Sequence, residues 1–383
     1  MDYIRCVRVC SQIPVLYVSR FVAGVAMGAV TVVVPIYNEE VAEDHLRGQL
    51  GIYLDLMVTM GILWSYSVGA VVSYFWLAVL CALLPLVFAA TFYWTPESPV
   101  FLASVDNWEE AEKSLRWLRG VRHLDDQAIK KELVRLHVSV AGIRRSPGIS
   151  AYSALANTTR SFRLDSPAGK AAFIITGIMV VQQLTFINAF LFYNVDIFRD
   201  IAGSSLPPQS STIIVGVVQC VATAASFVLV EVSGRRVLLM FSDLLIAISI
   251  GTLAIDILLT SGGETRFTGW LPLACISVCM IAYSFGLGPL PWLMMAEMSP
   301  VEHKGLISSL AVFVNWVLVF AVTYVFNDLI VMLGPVLTYG GIAATCFLGT
   351  LFIFLFVPET KDKSREEIQD ELKSNNLLLF SSS

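Results

Sequence analysis

Long apolar runs alternate with polar stretches along this chain. Read with a window of about 19 residues, the pattern predicts nine membrane-spanning helices, near residues 15–36, 50–72, 75–95, 171–193, 211–231, 237–259, 270–294, 306–327 and 335–357. The expected organisation is an amino-terminal tail (1–14), a three-helix segment (15–95), a polar loop (96–170), a six-helix half (171–357) and a charged tail (358–383). Within the loop, the stretch from Asn107 to His137 reads as short soluble helices. Trp108, Leu115 and Leu118 are spaced to face the membrane domain, while Glu109, Glu112, Lys113 and Arg116 stay in water.

Composition turns this pattern into a class. A chain of 383 residues that is 56% hydrophobic and 14% charged is too apolar for a water-soluble globule, so the fold expected is an all-α, multi-pass membrane protein in contact with the lipid bilayer. Soluble enzymes, secreted disulfide scaffolds and single-pass receptors are excluded. A net charge of −5 offers no polycationic face for nucleic acid. Cys81, Cys220, Cys275, Cys279 and Cys346 lie inside apolar runs, where a thiol behaves as a small hydrophobe. His45, His123, His137 and His303 fall in predicted loops without HExxH spacing, and neither a phosphate-binding GxxxxGK[ST] loop nor a GxSxG elbow occurs. The chain reads as neither an enzyme nor a holder of cofactor or metal.

Twenty of the 25 Lys and Arg residues fall in loops 37–49, 96–170, 232–236, 296–304 and 358–383, which the positive-inside rule places in the cytoplasm. Arg5 and Arg8 of the amino-terminal tail run against that rule. Asn157-Thr158-Thr159, the one Asn-x-Ser/Thr site, then lies in a cytoplasmic loop and stays unglycosylated.

Polar side chains inside the spans carry the candidate chemistry, because a charge at mid-span costs about 2.5–3.5 kcal/mol unless wet or paired. One span carries Gln182, Gln183 and Asn188, the next Gln219, and a later one Asn315 beside Trp316. Gly288-Pro289-Leu290-Pro291-Trp292 adds a proline-interrupted helix at membrane depth, which survives only where backbone lines a cavity or packs in protein. Amides can bridge helices, but this set beside a broken helix suits a neutral polyhydroxyl ligand. Asp55 reads either as a hydrogen-bonding or proton-carrying group, or as a carboxylate reaching the near interface. Asp243 and Asp256, nearer the ends of their span, read as interfacial.

Several motifs resemble those of sugar porters in the major facilitator superfamily. SRFVAGVAMGAVTVVVPIYNEEVAEDHLRGQLG (19–51) resembles the family's GRF…P-x-Y-x-x-E…RG element. PESPVFL (96–102), QQLTFINAFLFY (182–193), EVSGRR (231–236), GLGPLPWLMMAEMSP (286–300), the Asn315-Trp316 pair and PETKDKS (358–364) follow in the family's order. The resemblance covers about residues 12–372, and residues 269–300 look most like facilitated trehalose carriers of insects, with hexose carriers close behind. It implies alternating access around a site for a small neutral sugar, with no cofactor, in the plasma membrane. The sugar contacts it implies fall on Gln182, Gln183, Asn188, Trp292 and Asn315, with Tyr283 and Gly288 beside them. It implies a cytoplasmic latch of ion pairs at Glu40, Arg47, Glu231, Arg235, Arg236 and Glu297, with Lys304 standing for an arginine.

Departures from the family pattern bear on substrate. Asp55 stands where glucose carriers have glutamine, Gln219 replaces an asparagine, and Phe186 replaces a glycine at which the family's helix bends. Because the GRF element belongs to the family's fourth span, the resemblance also implies a major facilitator fold lacking the first three of twelve helices.

Overall fold

The computed structural model describes residues 13–42, 47–120, 129–130, 132–134, 136–137, 166–200, 207–261, 270–300, 304–361, 363 and 365–374. Every regular element among them is helical: α1 (Ile13–Val41), α2 (Arg47–Val71), α3 (Tyr74–Phe92), α4 (Pro99–Ser104), α5 (Trp108–Leu118), α6 (Pro167–Leu184), α7 (Ile187–Asp200), α8 (Pro208–Ser233), α9 (Arg235–Ser261), α10 (Leu271–Phe285), α11 (Leu290–Met298), α12 (Lys304–Leu333), α13 (Pro335–Phe356) and α14 (Arg365–Ser374). Nine stretches of described helix are long and apolar enough to cross a membrane, and they coincide with the nine apolar runs. Two runs are interrupted, the first against the expectation of a continuous helix and the second as the prolines of Gly288–Trp292 predict. The span expected at 171–193 is the pair α6 and α7, and the one at 270–294 is the pair α10 and α11.

The chain divides into two compact units. The first comprises residues 1–54 and 68–149. Its polar part is organised by local caps: Ser98 Oγ accepts the Phe101 N–H ahead of Pro99, and Asn107 Oδ1 accepts the Glu110 N–H to start α5. Ala103, Ala111 and Leu115 are buried there, with Leu102 and Trp108 packed on the two alanines. Trp108 also stacks on His137 with ring centroids 3.6 Å apart. Arg119 joins Glu132 at 2.8 Å and donates to the Val41 carbonyl at 3.2 Å. By contrast, none of the most apolar window of α1 or of α3 is buried within the protein. Surface of that kind is covered by lipid or by further protein.

The second unit comprises residues 55–67, the middle of α2, and residues 150–383. Its centre is α9 packed along α13 and α10, with α6 against α12. Ile174, Ile178, Ile246, Ile250 and Phe326 are among its fully buried side chains. Ser166 caps α6 through the Gly169 N–H. A single residue at positive φ separates α8 from α9 (Gly234, φ 83°) and α12 from α13 (Gly334, φ 79°), a conformation at which glycine carries no Cβ penalty. Asp243 and Asp256 depart from the interfacial reading, since they are 0% and 4% exposed. Helix α9 begins at Arg235, so Asp243 lies about 12 Å along it, where Thr350 Oγ1 donates to its Oδ2 at 3.2 Å.

Candidate functional site

The polar residues of the second unit converge where its two long spans break. Helix α6 stops just beyond Gln182 and Gln183, and its last carbonyls find side-chain donors in place of the missing helical N–H groups. Thr185 Oγ1 donates to the Gln182 carbonyl at 2.7 Å and Thr345 Oγ1 to the Leu184 carbonyl at 3.0 Å. The chain turns through Phe186 at φ 57°, a left-handed conformation that costs a side-chain-bearing residue about 1–2 kcal/mol. The bend thus persists without the glycine. Phe186 sits 6.2 Å, centroid to centroid, from Phe326, around which Phe190, Tyr193 and Tyr339 also gather.

The second break follows from GLGPLP. Pro289 and Pro291 have no N–H to give, and the Gly286 and Gly288 N–H groups both turn back to the Tyr283 carbonyl, at 3.3 and 2.8 Å. Gln182 closes the gap between the two breaks. Its Nε2 donates to the Leu287 carbonyl at 2.6 Å and to Tyr283 Oη at 3.2 Å, while its Oε1 accepts Asn315 Nδ2 at 2.9 Å. Beside it, Asn188 Nδ2 donates to Gln183 Oε1 at 2.7 Å across the α6–α7 bend. Gln182, Gln183, Gln219 and Asn315 are all 2–3% exposed, and Tyr283, Asn188, Trp292 and Asp55 are half-buried. Gly288 lets the Asp55 carboxylate approach, because a Cβ there would lie 3.0 Å from Asp55 Oδ2.

The structure therefore brings Gln182, Asn315, Tyr283, Gly288 and Asp55 together and places Gln183 and Asn188 beside them. Gln219 sits on α8, where its Oε1 is buried and, like Trp316 Nε1, meets no hydrogen-bond partner among the described residues. The network is neutral apart from Asp55 and offers donors and acceptors alike. Among the described residues no group of His, Cys, Asp and Glu is arranged to hold a metal ion.

A second polar cluster lies where α9 starts and α13 ends. Glu359 Oε1 accepts the N–H groups of Arg235, Thr360 and Lys361 at 2.9–3.0 Å, and its Oε2 accepts that of Arg236 at 3.1 Å. It thus caps the amino terminus of α9 with a full charge. Arg235 reaches Glu297 at 3.3 Å, and Thr360 Oγ1 donates to the other oxygen of Glu297 at 2.6 Å. Arg236 donates to the Phe354 carbonyl and lies over the Phe354 ring. In the first unit Glu40 accepts the Ser98 hydroxyl. The side chains of Arg47, Glu231 and Lys304 lie outside the described residues.

Glu359 and Thr360 were not among the predicted site residues, although the PETKDKS motif contains them. Glu359→Ala is expected to lower unfolding stability by about 2 kcal/mol, because four N–H groups lose a charged acceptor. Thermal unfolding in detergent measures it, and an unchanged midpoint would show the cap to be dispensable.

Comparison with known proteins places this geometry in context. The family described as "Sugar (and other) transporter" matches residues 5–372. A facilitated trehalose transporter, Tret1, of Drosophila yakuba is 35% identical over 355 residues, 92% of this chain and 40% of its own length. Tret1 of Apis mellifera ligustica is 32% identical over 363 residues, 95% of this chain and 70% of its own. The chain thus spans about two-fifths of the length of the Drosophila relative. Among solved structures, the major facilitator superfamily proton:xylose symporter XylE bound to 6-bromo-6-deoxy-D-glucose superposes with a TM-score of 0.72 at 22% identity, covering 96% of this chain and 76% of its own.

Proposed function

We propose facilitative transport of a neutral sugar, trehalose or a hexose, for this chain, which belongs to the sugar transporter family. The observation that carries the proposal is the Gln182 amide, bonded at once to the broken backbone of α10–α11 and to Asn315. A sugar hydroxyl exchanges hydrogen bonds with water for bonds of the same kind with buried amides, and so crosses hydrocarbon without stranding a charge. In this reading Gln182, Gln183, Asn188, Trp292 and Asn315 contact the sugar, supported by Asp55, Gln219, Tyr283 and Gly288. Alternating access opens the site to each side in turn.

A cytoplasmic latch of Glu40, Arg47, Glu231, Arg235, Arg236, Glu297 and Lys304 holds one of the two states. Partly wet ion pairs worth about 1 kcal/mol or less suit a contact that breaks in every cycle. The carboxyl terminus and residues 96–170 face the cytoplasm of a cell bounded by the plasma membrane. Uptake of radiolabelled trehalose and glucose in a host lacking its own carriers tests the whole reading. Uptake no better than that of the empty vector would deny this chain transport activity and favour a non-transporting membrane protein.

Proton-coupled symport is a second reading, favoured by the carboxylate of Asp55 against Gly288. Facilitated transport predicts uptake that is the same at acidic and neutral pH and survives Asp55→Asn with a change in apparent affinity only. Loss of accumulation against a gradient in Asp55→Asn would establish coupling instead.

A further inference from the structure

The broken helix is braced from behind by a residue to which none of the motifs draws attention. Ser242, on α9, is 0% exposed. Its hydroxyl donates to the Ala282 carbonyl of α10 at 2.7 Å and accepts the Leu287 N–H at 3.2 Å. Those are two backbone groups that the break would otherwise leave unpaired in hydrocarbon. The carbonyl of the same Leu287 accepts the Gln182 amide. A chain of hydrogen bonds therefore runs from Ser242 through Leu287 to Gln182 and on to Asn315. Gly286 makes the brace possible, since a Cβ there would stand 2.5 Å from Ser242 Cβ.

Seven residues along the same face of α9, Ser249 Oγ donates to the Cys275 carbonyl of the same partner helix. Ser249 is equally a buried serine tying α9 to α10, but its partner carbonyl lies about two to three turns from the break. The pair separates two roles that a single serine would confound, general adhesion of two helices and alignment of the break.

We infer that Ser242 is a positioning residue for sugar recognition: by fixing Leu287 it orients the Gln182 amide toward the ligand. The inference rests on the sugar-transport reading above. A hydroxyl that serves as donor and acceptor at once fixes the 286–287 peptide against α9, and so restrains the adjoining 287–288 peptide whose carbonyl Gln182 meets.

The test is sugar binding to the purified protein, followed by indole fluorescence with trehalose and with glucose, alongside hydrogen exchange in a peptide containing Leu287. Ser242→Ala is expected to weaken sugar binding roughly tenfold and to speed exchange at Leu287. Ser242→Cys, which keeps a weak donor and acceptor, falls between it and the wild type. Ser249→Ala lowers thermal stability by an amount similar to Ser242→Ala but leaves sugar affinity and Leu287 exchange unchanged. Equal loss of affinity in Ser242→Ala and Ser249→Ala would overturn the inference, as would a Ser242→Ala protein with wild-type affinity. Wild-type protein that binds neither sugar overturns the transport reading by itself. Exchange at Leu287 then decides the brace, which unchanged exchange in Ser242→Ala refutes and faster exchange upholds.

Discussion

Gln182→Ala is expected to lower sugar affinity by about a hundredfold or more while the protein still reaches the membrane. Truncation strands the Leu287 carbonyl, Tyr283 Oη and the Asn315 amide together. A buried polar group left unpaired costs about 1–3 kcal/mol. The variant also lacks the amide's own bonds to sugar hydroxyls and holds these three groups out of register for the ligand, which together account for roughly 3 kcal/mol in the bound state, about two powers of ten in a binding constant. Gln183→Ala strands only the Asn188 amide and is expected to cost several times less. Equilibrium binding of trehalose and glucose to the purified variants measures both effects. If Gln182→Ala bound sugar like the wild type, the amide network would be mere helix packing.

Gly286→Ala is expected to damage the fold of the second unit. A Cβ at this position would lie 2.5 Å from Ser242 Cβ, 2.9 Å from Ser242 Oγ and 2.8 Å from the Leu238 carbonyl oxygen. The last of these belongs to the backbone of α9 and cannot swing aside as a side chain would. Overpacking of this severity costs about 3 kcal/mol, which lowers the midpoint of thermal unfolding by about 10 °C in a unit of this size. Gly340→Ala is the matched control, because a Cβ there meets nothing within 4 Å and alanine improves helix propensity. Equal midpoints for the two variants would show that α9 and the break are less tightly apposed than the geometry states.

The nine spans were legible because each is a predominantly apolar run, and a hydropathy window averages over the few polar residues within it. The same averaging hid the α6–α7 break. QQLTFIN reads as continuous helix, and Phe186 stands where a flexible residue would have signalled a bend. What ends the helix is tertiary, since Thr345 supplies a donor to the Leu184 carbonyl from 161 residues away. Asp243 was misread because position along a span does not reveal burial, which here comes from α13 packing on α9 and bringing Thr350 to the carboxylate. At the site, the amides stood out as costly residues in hydrocarbon. That Gln182 should pair with Asn315, and not with Gln183 or Asn188, is a fact of packing that no spacing encodes. Glu359 and Ser242 show the same limit, being ordinary residues whose importance arises only from the backbone groups they meet.

The one-residue turns at Gly234 and Gly334 fix the mechanics of the second unit. Helices α8 and α9 are separated by a single residue, and so are α12 and α13. Neither pair has a loop in which its adjoining ends could drift apart. Each connection therefore holds two helix ends together, whereas the spans α6–α7 and α10–α11 are interrupted at residues 185–186 and 286–289. The amide of Gln182 sits beside the first interruption and is bonded to the second. The two interruptions of the unit are thus joined through one side chain, and whatever displaces Gln182 is felt at both.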